Sequence, residues 1–309
     1  MRELIYPEGS WVAIVTPFAA DGAVDLGVMR SLVDFHVANG SSALLILGST
    51  GEPTTMTMEE KKTVIKAMSV YCKGKIRAFF GVTHGSTDMT IELARHAQEN
   101  DADGIVIVVP PYLCPDQPSV LQYLIDVCLS VDIGVGLYNN PARVVANINP
   151  ETIITLFNEV PNLVADKEAM PSVGQLAAVC EGTNGELPVF CCDSPAYALV
   201  IPTLGLGGSG TANVSGNVHP RAMAEMSRPW KSWEDVQRTR RLHNELLPVM
   251  EACYSATNPV AVKFFIRLLG FPVGPCRKPL REVSPEVREA MLLLIEEFEL
   301  RKVYDLGQL

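Results

Sequence analysis

From Trp11 to about residue 230 the chain repeats one unit, a short apolar run followed by turn residues and a longer amphipathic segment. The apolar runs fall at 11–15, 43–47, 76–82, 104–109, 133–138, 163–166, 188–192 and 209–213. They are short and continuous rather than alternating, the pattern of parallel strands buried on both faces. The segments between them carry helix punctuation. Asn39-Gly40 stops one helix, and Thr57-Met58-Glu59-Glu60 forms a capping box that opens another running to about Tyr71. Asn149-Pro150-Glu151 and Ser284-Pro285-Glu286 each set a capping side chain ahead of a proline at the first helical position. Alternating strand and helix predicts a parallel sheet with right-handed crossovers. Eight such units favour an α/β fold of the closed (β/α)8 TIM barrel type over an open doubly wound sheet. Beyond residue 230 the strand-like runs stop. Helical stretches near 231–253, 257–269 and 284–302 then predict a barrel over 1–230 and a C-terminal helical extension over 231–309.

Composition narrows the function classes. The 309 residues are 48% hydrophobic and carry a formal net charge of −10, without a Lys/Arg-rich run. Such a chain has no electrostatic footprint for nucleic acid or an anionic membrane. Met1-Arg2-Glu3-Leu4-Ile5-Tyr6-Pro7 lacks a basic-then-apolar leader. The apolar runs also fall far short of the roughly 20 residues that span a bilayer. The expectation is a cytoplasmic protein. Its eight cysteines include no C-x-x-C pair, which reads as reduced, structural thiols rather than a metal site.

Candidate chemistry gathers after the strands. The 163–166 run leads into Lys167, and Met170-Pro171-Ser172 looks like a helix entry. A lysine there sits where barrel strands deliver their chemistry, although an isolated lysine is usually a surface residue. Gly48-Ser49-Thr50-Gly51-Glu52 follows the second run and is either an ordinary turn or a cradle for a carboxylate, built from backbone N–H groups and two hydroxyls. After the fifth run, Tyr138-Asn139-Asn140-Pro141-Ala142-Arg143 offers a tyrosine able to relay protons and an arginine able to grip a carboxylate. Taken alone, these read as a packed tyrosine and a surface arginine. Pro110-Pro111-Tyr112 supplies another tyrosine at the same end. Gly205-Leu206-Gly207-Gly208-Ser209-Gly210 has dinucleotide-type glycine spacing, but helix precedes it and strand follows, the reverse of that fingerprint. It reads as the turn into the eighth strand. Ser49, Thr50, Tyr112, Tyr138, Arg143 and Lys167 thus converge on one barrel mouth. A desolvated lysine loses its proton easily and can attack a carbonyl, and the imine so formed is an electron sink for making or breaking a carbon–carbon bond. The constellation predicts a Schiff-base lyase.

In this ordered set the chain resembles the dihydrodipicolinate synthase/N-acetylneuraminate lyase family of pyruvate-handling class I aldolases. The resemblance runs through Val15-Thr16-Pro17-Phe18, Gly48–Glu52, Pro110-Pro111-Tyr112, Tyr138-Asn139-Asn140-Pro141, Lys167-Glu168-Ala169, Ala212-Asn213, Asn258-Pro259 and Arg277-Lys278-Pro279-Leu280. It implies that Lys167 forms an imine with pyruvate or another 2-oxo acid, and that Ser49 and Thr50 hold its carboxylate. Tyr138 would be the acid/base, linked through Thr50 to a Tyr112 donated by a neighbouring subunit. Cys192 and Ala212 would also line the substrate site. The resemblance further implies a homotetramer, a dimer of dimers, that uses no metal or organic cofactor. Arg143 matches the arginine with which the synthase branch holds the carboxylate of aspartate semialdehyde. Cys192, where synthases usually have glycine, and Asp193-Ser194-Pro195, in place of an acidic pair, are departures that keep a 2-keto-3-deoxy sugar acid or hydroxy-oxo acid open as the substrate. A non-catalytic barrel that binds a carboxylate is a further alternative. Pro111 and Pro53 replace residues tied to lysine feedback in the family, which implies weak or absent inhibition by lysine.

Overall fold

The computed structural model describes residues 4–303. Met1–Glu3 of the N-terminal reading and residues 304–309 of the extension lie outside them. Eight parallel strands close into a barrel in sequence order: β1 (Gly9–Ala13), β2 (Ala43–Ile46), β3 (Arg77–Gly81), β4 (Gly104–Val108), β5 (Gly134–Asn139), β6 (Leu163–Glu168), β7 (Val189–Cys191) and β8 (Gly210–Asn213). Closure comes from β1 pairing with β8, Gly9 opposite Gly210 and Val12 opposite Asn213. Helices follow the strands on the outside, from Leu26–Ala38 after β1 to Pro220–Met226 after β8. The fold is the (β/α)8 barrel that the repeat predicts. Helices Trp233–Cys253, Val260–Leu268, Pro285–Glu297 and Leu300–Val303 follow it.

The barrel interior is filled by side chains rather than open. Trp11 lies edge-on to Phe79 and Phe190, with ring centroids 5.0 and 5.5 Å away. Two glycines make room for these rings. A Cβ on Gly104 would lie 2.5 Å from the Phe79 ring, and one on Gly136 would lie 3.0 Å from Trp11. This aromatic plug fills the interior, and barrels of this type place their chemistry at the C-terminal mouth. The extension is not a separate body. Val249, Phe265, Phe271 and Met291 share a core with Val15, Leu32, Phe35 and Val214 of the barrel.

Helix punctuation holds with one correction. Thr57 and Glu60 form the reciprocal capping box of Met58–Cys72, and Ser284 caps Pro285–Glu297 through the Val287 N–H. Asn149 sits at the N-cap of Pro150–Glu159 but makes no side-chain cap bond. Its carboxamide oxygen accepts from Asn147 Nδ2 at 3.2 Å instead, within a loop network that reaches Gln175. Two strand bounds also shift. β1 begins and ends two residues before the 11–15 run, because Ile14 and Val15 continue as buried core after pairing ends. β6 runs on past the apolar residues through Asp166, Lys167 and Glu168.

That overrun creates a buried carboxyl pair behind the mouth. Alternation along β6 turns Lys167 toward the barrel axis and Asp166 and Glu168 toward the helical layer. Glu168 is satisfied by Gln175 Nε2 (2.7 Å), Asn139 Nδ2 (3.1 Å) and the Met170 N–H (2.6 Å), although burial still pushes its carboxyl up to about 7. Asp166 is fully buried, and neither of its oxygens has a hydrogen-bond partner among the described residues. Burial, then the field of Glu168, raises its carboxyl well above the ordinary range. A carboxyl that keeps its proton in the folded chain and loses it in the unfolded one lowers stability as pH rises past about 3.9. Asp166→Asn is therefore expected to match the parent near pH 3. At pH 7 it should be the more stable of the two, because ionisation of Asp166 favours the unfolded parent and an amide does not ionise. Chemical denaturation across that pH range checks this, and a pH-independent difference would contradict it.

Candidate active site

The mouth is built by five strand ends and one loop of the extension. After β2 the chain makes a short 3₁₀ turn, Ser49–Gly51. Thr16 Oγ1 donates to the Gly51 carbonyl at 2.7 Å, and a Cβ on Gly51 would sit 3.0 Å from that same hydroxyl. The turn leaves through Glu52, whose left-handed φ of 56° is held by bonds at both carboxylate oxygens. Lys263 Nζ donates to Oε1 at 2.7 Å and the Arg277 N–H to Oε2 at 2.8 Å. At the end of β5, Tyr138 faces the interior, while Asn139 faces outward and donates to Glu168. Pro141 then opens the one-turn helix Pro141–Val144 that carries Arg143.

These elements enclose a cavity of about 90 Å³, lined among others by Ser49, Thr50, Tyr138, Arg143, Lys167 and Cys192. Lys167 is 3% exposed, and its Nζ lies 4.3 Å from the Tyr138 ring centroid. Burial lowers its pKa, with Cys192 and Asp193 opposing that shift. An amine so placed gives up its proton far more readily than an exposed one, which leaves a lone pair for attack on a carbonyl. The Tyr138 hydroxyl accepts from Asn140 Nδ2, and burial pushes its pKa up to about 12, so it stands in the cavity as a neutral O–H. The Thr50 hydroxyl accepts from Asn258 Nδ2 at 3.1 Å. Arg143 Nη2 donates to the Asn258 carbonyl at 3.1 Å, which sets its charge at the rim. An adjoining space of about 200 Å³ shares Ser49, Tyr138, Asn140 and Arg143 and is walled by Leu45, Val106, Val108 and Val144.

Six of the eight residues singled out in the sequence thus share one cavity. Two do not. Ala212 is fully buried in β8 within the interior cluster around Trp11; Val214, two positions on, lines the cavity instead. Tyr112 is 95% exposed with φ 77° on an outward loop, and within one chain it does not enter the site. Nor is a hydrogen bond found between Tyr138 and Thr50 among the described residues; the phenol oxygen is engaged by Asn140.

The structure adds residues that sequence reasoning missed. Tyr197 and Tyr254 line the cavity beside Asn258. Tyr197 ends a single 3₁₀ turn, and Tyr254 caps the long helix of the extension; neither position carries a local pattern. Asn258 stood within a recognised stretch without a role. Asp193, noted only as a departure, is fully buried and accepts from the Val214 and Ser215 N–H groups, each at 2.9 Å. No helix among the described residues is long and apolar enough to cross a membrane.

Comparisons with known proteins agree with this geometry. The profile of the dihydrodipicolinate synthetase family matches residues 6–298. A 4-hydroxy-tetrahydrodipicolinate synthase of Lachnoclostridium phytofermentans is 35% identical over 278 residues, covering 89% of this chain and 92% of the relative. The crystal structure of dihydrodipicolinate synthase from Aquifex aeolicus superposes with a TM-score of 0.90 at 33% identity, over 95% of this chain and 99% of that one. That of the chloride-inhibited dihydrodipicolinate synthase from Acinetobacter baumannii, complexed with pyruvate, does so at 0.87 and 30% identity, over 95% and 99% of the two chains. With a profile match over nearly its whole length and a buried lysine at the mouth of a (β/α)8 barrel, the chain belongs to the dihydrodipicolinate synthetase family of lyases.

Proposed function

We propose that this chain condenses pyruvate with L-aspartate semialdehyde through an imine on Lys167, the 4-hydroxy-tetrahydrodipicolinate synthase reaction of lysine biosynthesis. The observation that carries the reading is the desolvated Lys167 amine in one small cavity with the Tyr138 hydroxyl, the Ser49–Thr50 turn and the Arg143 guanidinium. Neutral Lys167 attacks C2 of pyruvate, whose carboxylate lies against the hydroxyls and N–H groups of Ser49 and Thr50. Tyr138 moves the proton that the carbinolamine needs to lose water. The imine draws electrons from C3, the resulting enamine attacks the aldehyde, and Arg143 holds the carboxylate of that second substrate. Because the imine is itself the electron sink, the chemistry calls for no metal or organic cofactor. The same reading takes 1–230 as the catalytic barrel and 231–309 as an extension that completes its wall, and places the enzyme in the cytoplasm. Tyr112 supports assembly as a homotetramer of two dimers. Its exposed ring, beside an exposed Leu113, is available to a neighbouring subunit's mouth.

A coupled assay with purified semialdehyde and a reductase tests the reaction. Within it, Arg143→Ala is expected to raise KM for the semialdehyde by about 10–100-fold, the loss of a charged hydrogen bond of about 1.5–3 kcal/mol. KM for pyruvate should stay within a few-fold. Equal losses for both substrates would remove Arg143 from this role. Cys192 favours a second reading, since a thiol beside Lys167 reshapes the wall that meets the second substrate. In that reading the enzyme is an aldolase or dehydratase for a 2-keto-3-deoxy sugar acid or hydroxy-oxo acid. Turnover of such acids with none of the semialdehyde would replace the first reading by the second. A barrel that merely binds a carboxylate would show neither.

A further inference from the structure

On the wall of the cavity formed by β7 and the extension, three side chains form a hydrogen-bonded series that the imine reading does not use. Asp193 is fully buried, and its oxygens act as acceptors toward the Val214 and Ser215 N–H groups. Oδ1 also accepts the Tyr254 hydroxyl. That commits the only proton of Tyr254 to Asp193. The contact between Cys192 Sγ and Tyr254 Oη, 3.4 Å long, is then directional: the thiol donates and the phenol oxygen accepts. The sulfur keeps its lone pairs as acceptors, one of them toward the Ser194 N–H, and Cys192 shares the cavity with Lys167. Tyr138, the other hydroxyl closely associated with Lys167, is engaged by Asn140.

We propose that Cys192, Tyr254 and Asp193 form a proton relay that takes the C3 proton of the Lys167–pyruvate iminium, with Cys192 as the catalytic group and Tyr254 and Asp193 as positioning residues behind it. The proposal rests on the imine reading. In the step, a C3–H bond breaks and its electron pair becomes the C2=C3 bond, neutralising the iminium nitrogen. The proton passes to Sγ as the thiol proton moves to Tyr254 Oη and the Tyr254 proton moves to Asp193 Oδ1. An iminium and a carboxylate become a neutral enamine and a carboxylic acid, so atoms and charge balance without an added reagent. The return path reprotonates the enamine or completes the condensation. Tyr138 keeps the proton transfers at the carbinolamine.

Deuterium uptake into the pyruvate methyl group, followed by proton NMR in D2O, reads this step without a second substrate, and borohydride trapping reads imine formation in the same samples. Tyr254→Phe and Cys192→Ala are expected to retain the trapped adduct at Lys167 while exchange slows by about 100-fold or more, the usual contribution of a positioned proton acceptor. Cys192→Ser, which keeps a donor and lone pairs at that position, should recover exchange to within about 10-fold of the parent. Parent-like exchange in Tyr254→Phe or Cys192→Ala, with adduct formed, would overturn the relay, as would exchange lost only in Tyr138→Phe. A parent protein that forms no adduct would instead overturn the imine reading, and the relay with it.

Discussion

Lys167→Met is expected to lower kcat for pyruvate condensation on the order of 10⁵-fold, as loss of a covalent nucleophile does, while leaving the melting temperature at pH 7 unchanged or higher. The two halves of this result have one cause. Lys167 is buried, its ammonium is disfavoured by desolvation, and no salt bridge to it is found among the described residues. A depressed lysine pKa means that the folded chain binds fewer protons than the unfolded one, so this residue costs stability at low pH and the cost fades as pH rises. Methionine has similar length and no amine to desolvate. A lysine that served only packing would give the opposite pattern, with activity kept and stability lost. Steady-state kinetics and thermal unfolding of the same preparation separate the two. The parent's kcat/KM should likewise rise with pH along a limb that titrates below the ordinary lysine value.

Lys263→Met is expected to destabilise the protein by about 3–5 kcal/mol, the usual consequence of stranding one member of a buried ion pair. Lys263 and Glu52 are each 1% exposed, with Nζ 2.7 Å from Oε1. The ammonium also lies 4.1 Å from the Phe18 ring centroid. Removing it leaves Glu52 without a counter-charge, with only neutral donors such as the Arg277 N–H and the Cys276 thiol, too little to compensate a buried carboxylate. Because Glu52 closes the turn that carries Ser49 and Thr50, pyruvate KM should rise together with the loss of stability. The double variant Glu52→Gln/Lys263→Met removes both charges and is expected to recover much of the stability, so the two changes couple strongly. Denaturant unfolding of the two single variants and the double measures that coupling. Additive losses would mean that the pair does not tie the turn to the extension.

What was legible in the chain follows from which residues carry a local signal. The strands stood out because both of their faces are buried, so even short runs such as 43–47 are apolar throughout. The last two residues of β6 did not, because Lys167 and Glu168 break the hydrophobic pattern past the 163–166 run while remaining inside the strand. Their burial depends on partners from the neighbouring strand β5, Asn139 for Glu168 and Tyr138 for Lys167, 29 residues away in each case. Distance along the chain likewise hides Tyr254 and Asp193. Each is an ordinary residue locally, and only the packing of the extension against the barrel brings the hydroxyl to the carboxylate. Asn149 shows the converse: its position at the N-cap was legible, while the competing acceptor role toward Asn147 was not. Ser49, Thr50, Tyr138, Arg143 and Lys167 were legible as a group because barrel topology sends every strand end to one mouth.

Borohydride reduction in the presence of pyruvate, followed by intact-mass and peptide mass spectrometry, tests the imine most directly. A pyruvate-sized adduct on the peptide that contains Lys167, absent from Lys167→Met, is the expected result. No adduct with pyruvate or any other 2-oxo acid, in a correctly folded preparation, would contradict Schiff-base chemistry at this site and leave a barrel that binds carboxylates without reacting with them.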